Sequence, residues 1–491
     1  MRLADLIKRT LGQDLTLPDT EVTGVAQDNR LVTPGTVFVA RQGEKVDGHR
    51  YVNAAVAAGA VAIVGQNRTL VELPDGVPYI QVEDDRRALA SLAAAFYDYP
   101  SQQLTTFGVT GTDGKTTTSY LLHYLLQGGH RTGLLSTAGV KVGERALGLE
   151  GHFTTPEATE VQRLLAQFHA EGCTHAVIEA SSHGFALHRL DEVAFDIGLW
   201  TNLSPEHLDF HKTLEAYSRA KQTLMRRATL SVLNRDDGAY EAFAAAAQTF
   251  ISYGESPDAE WKISEIRPEG GGQRFTLTHH GRSYAAYLPM VGRYNVHNAV
   301  AALAAAHHAD LPLDVLLERL ETFGGVPGRM QVVQSTPFLA IVDFAHTAPA
   351  LENALKTLRT VTSGRIIVVI GAAGERDPGK RAPLGEVAIL HADLAIFTEE
   401  DSRSEDINTI LADMAQGALS AGGEATQSYW CIGDRREAIR LAVSMAQAGD
   451  TLLFAGKGHE QSLERLDQTL PWNEVTEVER ALFAAGYGES P

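Results

Sequence analysis

Cysteine is nearly absent from this chain. Two, Cys173 and Cys431, occur in 491 residues, and neither belongs to a Cys-x-x-Cys pair. That argues against a disulfide framework and a structural zinc site, and it points to a reducing compartment. Long apolar runs are lacking too. The stretch AAVAAGAVAIVG at 54–65 is glycine-broken and well short of the roughly 18 residues of a membrane span. The opening MRLADLIKRTLGQDL carries scattered charges and no apolar signal-peptide core. A soluble cytoplasmic protein with no membrane partner is expected. Positive charge is in deficit, with a formal net charge of −19. Nucleic-acid binders carry basic stripes, so no nucleic-acid partner is expected. An anionic small ligand stays open, because a local Lys/Arg pocket can oppose the global sign. Internal repeats and low-complexity tracts are absent as well.

What is present is 44% hydrophobic residues, enough for a core in each of the about three domains that this length suggests. Three regions alternate strand and helix. The first holds GTVFVA and VAIVG with a helix between them, and a closing helix that ends at Pro100. The second starts with LTTFGVTG, passes a glycine loop into the helix KTTTSYLLHYLLQGG, and continues with HAVIEAS, DIGLWTNL and LSVLN. A β-rich patch follows, with EGGGQ at 269–273 as its hairpin turn, and then the helix NVHNAVAALAAAHHA. The third holds LAIVDF, RIIVVIG, LAIFT and DTLLFAG. Such alternation implies an α/β fold of parallel sheets with helices on both faces. Boundaries are expected near residues 102 and 330.

The glycine loop GVTGTDGKTTT at 108–118 departs from a Walker A loop by one residue. The pattern G-x-x-x-x-G-K-[ST] asks for glycine at 109, where the chain has Val109. The glycines stand at 108, 111 and 114. Strand, loop, Lys-Thr and helix still form a phosphate-binding context, since N–H groups at a helix start attract anions. Lys115 would reach phosphates and Thr116 would ligate Mg²⁺. Asp113 puts an acid where a polyphosphate adds more negative charge. It is expected to face the loop's own N–H groups or a magnesium shell.

Other segments carry polar residues at element ends. Glu179 ends a strand in VIEASSHGFALHR, where ligands of open parallel sheets bind. Ser182 and His183 are adjacent, poor geometry for a hydrolase triad, and no G-x-S-x-G elbow is present. His207 and His211 stand four apart with Asp209 between them, which suits either metal ligands or two surface histidines. Arg329, at the expected domain junction, suits a phosphoryl clamp or a plain linker salt bridge.

Taken together, these segments resemble the Mur ligase family over nearly the whole chain. GTDGKTTT resembles the family's G-T-N-G-K-T loop, missing Walker glycine included. TTPE, EASSHG, TNLSPEHLDFH, YSRAK, YNVHN, PGRM, VDFAHT, GERDPGKR and AGKGHE follow in family order. The nearest resemblance is to members that add the third peptide residue to UDP-N-acetylmuramoyl-L-Ala-D-Glu. It implies three domains: a small α/β UDP-sugar domain at 1–102, a central P-loop-type ATPase with a mostly parallel sheet at 103–330, and a C-terminal Rossmann-like amino-acid domain at 331–491. It also implies an ADP-forming acid–amino-acid ligase, a monomer, that uses ATP and Mg²⁺ through an acyl phosphate in cytoplasmic peptidoglycan precursor synthesis. Both chemical steps build negative charge, so cations must be in place beforehand.

By the same resemblance, Lys115, Glu179, His207 and Lys221 are catalytic. Thr116, Glu179, His207 and Lys221 serve the metals, with Lys221 carbamylated to N6-carboxylysine. Gly111, Thr112, Asp113, Gly114, Lys115, Thr116, Thr117, Asn298, Arg329, Asp343 and His346 match ATP contacts. Asn29, Thr154, Thr155, Ser181 and Arg189 match contacts of the UDP-sugar peptide, Arg189 pairing a carboxylate of the D-Glu. Asn29 stands where the family has Ser, and Leu187 where it often has Gln. Arg376, Asp401, Arg403, Gly456 and Glu460 match amino-acid contacts. Diaminopimelate-adding members resemble one another in a D-N-P-R motif, where this chain has Glu400-Asp401-Ser402-Arg403. An anion at 401 favours a distal ammonium over a distal carboxylate, so lysine or ornithine is expected over meso-diaminopimelate. An Asp401–Arg403 salt bridge is the plainer alternative. Other readings are a folylpolyglutamate synthase-like or amidating relative, and a non-catalytic nucleotide-binding regulator.

Overall fold

The computed structural model describes residues 1–43, 46–68, 73, 76–147, 154–466 and 468–487. It forms two compact units, one of Met1–Ile263, Thr278–Arg282 and His297–Leu316, the other of Ser264–Leu277, Ser283–Val296 and Leu317–Pro491.

The first unit begins with a four-stranded parallel sheet in chain order, Gly24–Ala26, Thr36–Ala40, Ala62–Gly65 and Tyr79–Gln81. Every residue of Thr36–Ala40 is buried, as expected for a parallel strand covered on both faces. Helices Leu3–Leu11 and Asp85–Phe96 close one face through Leu3, Leu6, Leu89 and Leu92 packed on Val37 and Val39. Asp84 starts the second of these helices by accepting the Arg86 and Arg87 N–H groups.

The unit's second sheet centres on Thr105–Thr110, flanked in parallel by His175–Glu179 on one side and Ile197–Trp200 on the other. The parallel ladder runs on through Thr132–Ser136 at one end and through Leu230–Asn234 and Phe250–Gly254 at the other. The register pairs Val109 with Glu179 and Thr110 with Trp200, so three strands end level. Their ends form the ledge on which the candidate site is built. An antiparallel arm, Gly139–Val142 and Arg145–Leu147, extends from Thr132–Ser136, which strand–helix alternation did not anticipate.

The β-rich patch is three strands, Trp261–Glu269, Gly272–His279 and Arg282–Leu288. Its first turn lies at Gly270 and Gly271, both at positive φ, where the sequence placed it.

In the second unit the sheet order is Gln331–Gln334, Leu339–Asp343, Thr451–Ala455, Ile366–Ala372, Leu394–Glu399 and Tyr429–Cys431. Only the first pairing is antiparallel. The late strand Thr451–Ala455 inserts between the two earlier ones, and a crevice beyond the strand ends opens where strand order reverses in this way. Apolar layers cover both faces, with Leu351, Leu355 and Leu384 on one and Ile439, Val443 and Val478 on the other. Among the described residues no helix is long and apolar enough to cross a membrane.

Candidate active site

The glycine loop leaves the central strand of the first unit. Val109 is fully buried inside that strand. The position where a Walker loop has its first glycine is therefore sheet core, and the loop proper starts later, at Gly111. Gly111 and Gly114 have φ of +152° and +83°. A Cβ at Gly111 would run into the Thr201 hydroxyl, and one at Gly114 into the Asn298 side-chain amide. The loop is clamped from the 201–204 segment. Asn202 accepts the Thr112 N–H through its carbonyl at 3.0 Å and the Asp113 N–H through Oδ1 at 2.9 Å. The Thr201 hydroxyl donates to the Asp113 carbonyl at 2.6 Å. Asp113 itself is exposed.

The helix Lys115–Leu126 starts directly after Gly114. Lys115 Nζ curls over the loop to donate to the carbonyls of Gly111 at 3.1 Å and Thr112 at 2.6 Å. Thr117, one turn position on, is buried. Glu179 is 1% exposed and accepts four hydrogen bonds. They come from Thr116 Oγ1 at 3.0 Å, Ser136 Oγ at 2.6 Å, Thr137 N at 2.9 Å and Thr137 Oγ1 at 3.0 Å. Ser136 and Thr137 escaped the sequence reading, since no motif marks the end of that strand.

Lys221 lies on the helix Leu214–Arg227 and points under the same loop, donating to the Gly111 carbonyl. Its Nζ stands 4.3 Å from the centre of the Tyr217 ring. Burial, and then the charge of Lys115, pull its pKa well below the lysine range, against the opposing charges of Glu206, Asp113 and Glu179. The fold thus brings Lys115, Thr116, Glu179 and Lys221 around Gly111. His207 stands at φ +54° and belongs to a neighbouring cluster of rings. Its ring centre is 4.8 Å from that of His183, and 6.2 Å from that of Tyr217. The Tyr217 hydroxyl donates to Thr112 Oγ1 at 3.3 Å, which ties this cluster to the loop. His211 is buried and its Nε2 meets the Ser182 hydroxyl at 3.0 Å. Burial, and then the charges of His207 and His211, push His183 down to about 4.

A second constellation sits beyond the end of His175–Glu179. Thr155 Oγ1 donates to the Glu179 carbonyl at 2.9 Å and lies 2.9 Å from Ser181 Oγ. Arg189 donates to the Thr155 carbonyl at 2.9 Å and to Glu157 at 2.7 Å. Thr154 precedes this turn and is half-buried. Asn29 opens a short 3-10 turn that Asp28 caps while pairing with Arg30. Next to it, Gln27 accepts a hydrogen bond from Thr159 at 3.0 Å.

In the second unit, Asp343 is buried and accepts the N–H groups of Met330 at 2.6 Å and Ala345 at 3.0 Å. Burial pushes its carboxyl up, partly offset by the charge of Arg329. The Arg329 guanidinium lies 4.7 Å over the Phe344 ring, and His346 Nδ1 meets the Phe344 carbonyl at 2.9 Å. Gly328 packs against the backbone of Gly458 and His459, so the PGRM, VDFAHT and AGKGHE segments meet at one place.

Beyond the strand ends of the same unit, Asp401 does not pair with Arg403. Its Oδ1 accepts from Lys457 Nζ at 2.9 Å and from the Glu464 N–H at 2.9 Å. Lys457 is 0% exposed and also meets Glu460 at 2.6 Å. Arg403 binds Glu464 at 2.8 Å and the Gly374 carbonyl at 2.7 Å. Arg376 is exposed. Glu400 is 9% exposed, and among the described residues its side chain makes no hydrogen bond or ion pair. It faces Gly456, whose Cβ would lie 3.2 Å from Glu400 Oε2. Burial, and then the charge of Glu460, push the Glu400 carboxyl up to about 7. Lys457 and Glu400 were not among the residues the sequence singled out for this pocket.

Models of the Mur ligase family match this chain in three consecutive stretches. The family's catalytic domain matches residues 21–97, the Mur ligase middle domain 109–306, and the glutamate ligase domain 328–458. The UDP-N-acetylmuramyl-tripeptide synthetase of Deinococcus radiodurans is 48% identical over 95% of each chain. This chain belongs to the Mur ligase family. A solved UDP-N-acetylmuramoyl-L-alanyl-D-glutamate–2,6-diaminopimelate ligase is 32% identical, covers 99% of this chain with 100% of its own, and superposes with a TM-score of 0.70. The folylpolyglutamate synthase of Mycobacterium tuberculosis, solved with ADP, shares the fold at 18% identity and a TM-score of 0.61, over 75% of this chain and 91% of its own.

As a Mur ligase the protein is an ATP-dependent amide ligase, and its loop suits that nucleotide. Two positions admit no Cβ, a helix begins at the loop's end, and Lys115 stands over the loop carbonyls. The oxygen pair Thr116–Glu179 is the kind of donor set that Mg²⁺ takes.

Proposed function

We propose that this Mur ligase joins a diamino acid, lysine or ornithine in preference to meso-diaminopimelate, to the D-Glu of UDP-N-acetylmuramoyl-L-Ala-D-Glu. The likeness to a tripeptide synthetase along 95% of both chains carries the reading. The domains would be 1–102 for the nucleotide sugar, 103–330 for ATP and 331–491 for the amino acid, in keeping with three consecutive family matches. The enzyme would act as a monomer in the cytoplasm.

ATP supplies the phosphoryl group that activates the D-Glu carboxylate as an acyl phosphate, and Mg²⁺ would neutralise charge on the phosphates. Lys115 would leave the loop carbonyls for a phosphate, and Thr116, Glu179, His207 and Lys221 would hold the metals. Asn298, Arg329, Asp343 and His346 would contact the nucleotide. Asn29, Thr154, Thr155, Ser181 and Arg189 would hold the nucleotide-sugar peptide. Lys221 is suited to carbamylation. Burial pulls the Lys221 pKa down and so favours the neutral amine, whose lone pair can form an N–C bond to CO₂ with release of one proton. The product is an anion that suits the metal side of the site.

Charge around the amino-acid pocket supports a cationic distal group. Arg403 is answered by Glu464, and Lys457 by Asp401 and Glu460, which leaves the exposed Arg376 and, in the buried part, the partnerless Glu400 carboxyl beside Gly456. An ammonium would relieve that buried acid, whereas a carboxylate would meet a like charge. Phosphate release, measured with the UDP-dipeptide and each of lysine, ornithine and meso-diaminopimelate, tests both levels. Release that needs the UDP-dipeptide and an amino acid together supports the ligase. Preference for diaminopimelate would sink the choice of amino acid and leave the ligase standing.

A further inference from the structure

We propose that Arg41 and Arg86 seat the phosphate groups of the nucleotide-sugar substrate, with Glu157 as the positioning residue that fixes Arg41 beside Arg189. The inference rests on the substrate proposed above; Arg41 and Arg86 belong to no motif named above, and Glu157 is the acid of TTPE.

The chain is strongly acidic, yet three guanidiniums converge here. Glu157 takes Arg189 on Oε1 at 2.7 Å and Arg41 on Oε2 at 2.5 Å, so both its oxygens are engaged. Arg189 is almost fully buried and also binds the Thr155 carbonyl. Arg86, on the first turn of Asp85–Phe96, lies within electrostatic reach of Arg41, Arg189, Glu157 and Asp85. Among the described residues its guanidinium makes no hydrogen bond or ion pair, although it is half-buried. Burial, and then the positive charge of Arg41, hold its pKa below the usual arginine range. Of the other acids here, Asp84 caps the helix and faces Arg87 at 3.7 Å, which leaves Asp85. It is buried, accepts the Gln42 N–H at 2.9 Å, and burial pushes its carboxyl up.

Three arginines thus face one doubly engaged glutamate and one acid disfavoured as an anion. A half-buried cation with no partner and two like-charged neighbours costs stability in the free protein. An arriving anion reverses that cost, and forked guanidiniums match phosphate oxygens. The cluster adjoins the Thr155–Ser181 turn, and Arg189 is already assigned to the D-Glu carboxylate. The other D-Glu carboxylate is the one activated at the ATP loop, which leaves the phosphates as the anionic groups still to be seated.

Steady-state kinetics of the full chain test the assignment. For Arg86→Met the KM for UDP-N-acetylmuramoyl-L-Ala-D-Glu should rise by about tenfold or more, with kcat within about twofold and the KM for ATP unchanged. Arg86→Lys should recover part of that loss. Glu157→Gln should raise the same KM and leave kcat within about twofold. The Tm of ligand-free Arg86→Met should equal or exceed that of the parent, because the removed charge has no partner to lose. A lower Tm with unchanged KM would make the cluster a structural joint and overturn the proposal. Competition separates the two possible anions. UDP should lose about tenfold in potency against Arg86→Met while the free dipeptide L-Ala-D-Glu keeps its own. The opposite pattern would move the cluster to the glutamate carboxylate and overturn the phosphate assignment. If the parent enzyme releases no phosphate with the UDP-dipeptide, the proposed function fails. Calorimetric binding of UDP to parent and Arg86→Met then still decides this inference.

Discussion

Among the described residues two lysines are almost wholly buried, Lys221 in the first unit and Lys457 in the second, and their surroundings are opposite. Lys221 sees the Gly111 carbonyl, the Tyr217 ring and the positive charge of Lys115. Lys457 sits between two carboxylates, Asp401 at 2.9 Å and Glu460 at 2.6 Å. Burial alone therefore does not say what a lysine is for. Without a carboxylate in contact it drives the side chain towards the neutral amine, a nucleophile. With two carboxylates in contact, the same side chain becomes the cation that lets a cluster of acids be buried.

The sharpest way to break the contrast is to remove both charges in turn. Lys457→Met leaves the buried Asp401 and the half-buried Glu460 without their cation, and should cost about 3–5 kcal/mol in urea unfolding. A loss below about 1 kcal/mol would place the two lysines in one class. Lys221→Met should instead keep or raise stability while phosphate release falls roughly 100-fold. A carbamate signal from the parent enzyme in ¹³C-labelled bicarbonate, absent from that variant, would sharpen the point.

A third test concerns the acid beside Lys457. The folded state raises Glu400 from 4.5 to about 7, so the fold favours its neutral form. That contribution is full below about pH 4.5 and is lost as the pH rises through about 7. Glu400→Gln should therefore gain stability relative to the parent on going from pH 5 to pH 8, by about 1–3 kcal/mol without amino acid. A pH-independent difference would refute the partnerless acid. The smallest effect is expected at the exposed Asp113. Asp113→Asn should change ATP affinity by less than about tenfold, because the N–H and carbonyl of that residue, which the substitution keeps, tie the loop to Asn202 and Thr201.

Much of the fold was legible because parallel α/β units write themselves locally, as apolar runs such as RIIVVIG followed by amphipathic helices. The antiparallel arm at 139–147 was not, since its two strands are short and partly exposed. The loop, Glu179 and Lys221 were recognisable as residue types in order. Ser136 and Thr137, which hold Glu179, carry no pattern of their own. The expected influence of Asp401 on the amino acid assumed a charge facing the pocket. The fold instead gives that charge to Lys457, 56 positions away.

Residue order and local patterning were enough to establish most of the element types, the succession of motifs and the glycines of the phosphate loop. These depend on neighbours along the chain. Which charge answers which was settled by the sheets. Inserting Thr451–Ala455 between Leu339–Asp343 and Ile366–Ala372 delivers Lys457 to Asp401 and leaves Glu400 facing Gly456. Level strand ends likewise put Glu179 against Thr116. The energy of a buried charge depends on what lies within a few ångströms, and strand order decides that where chain position does not.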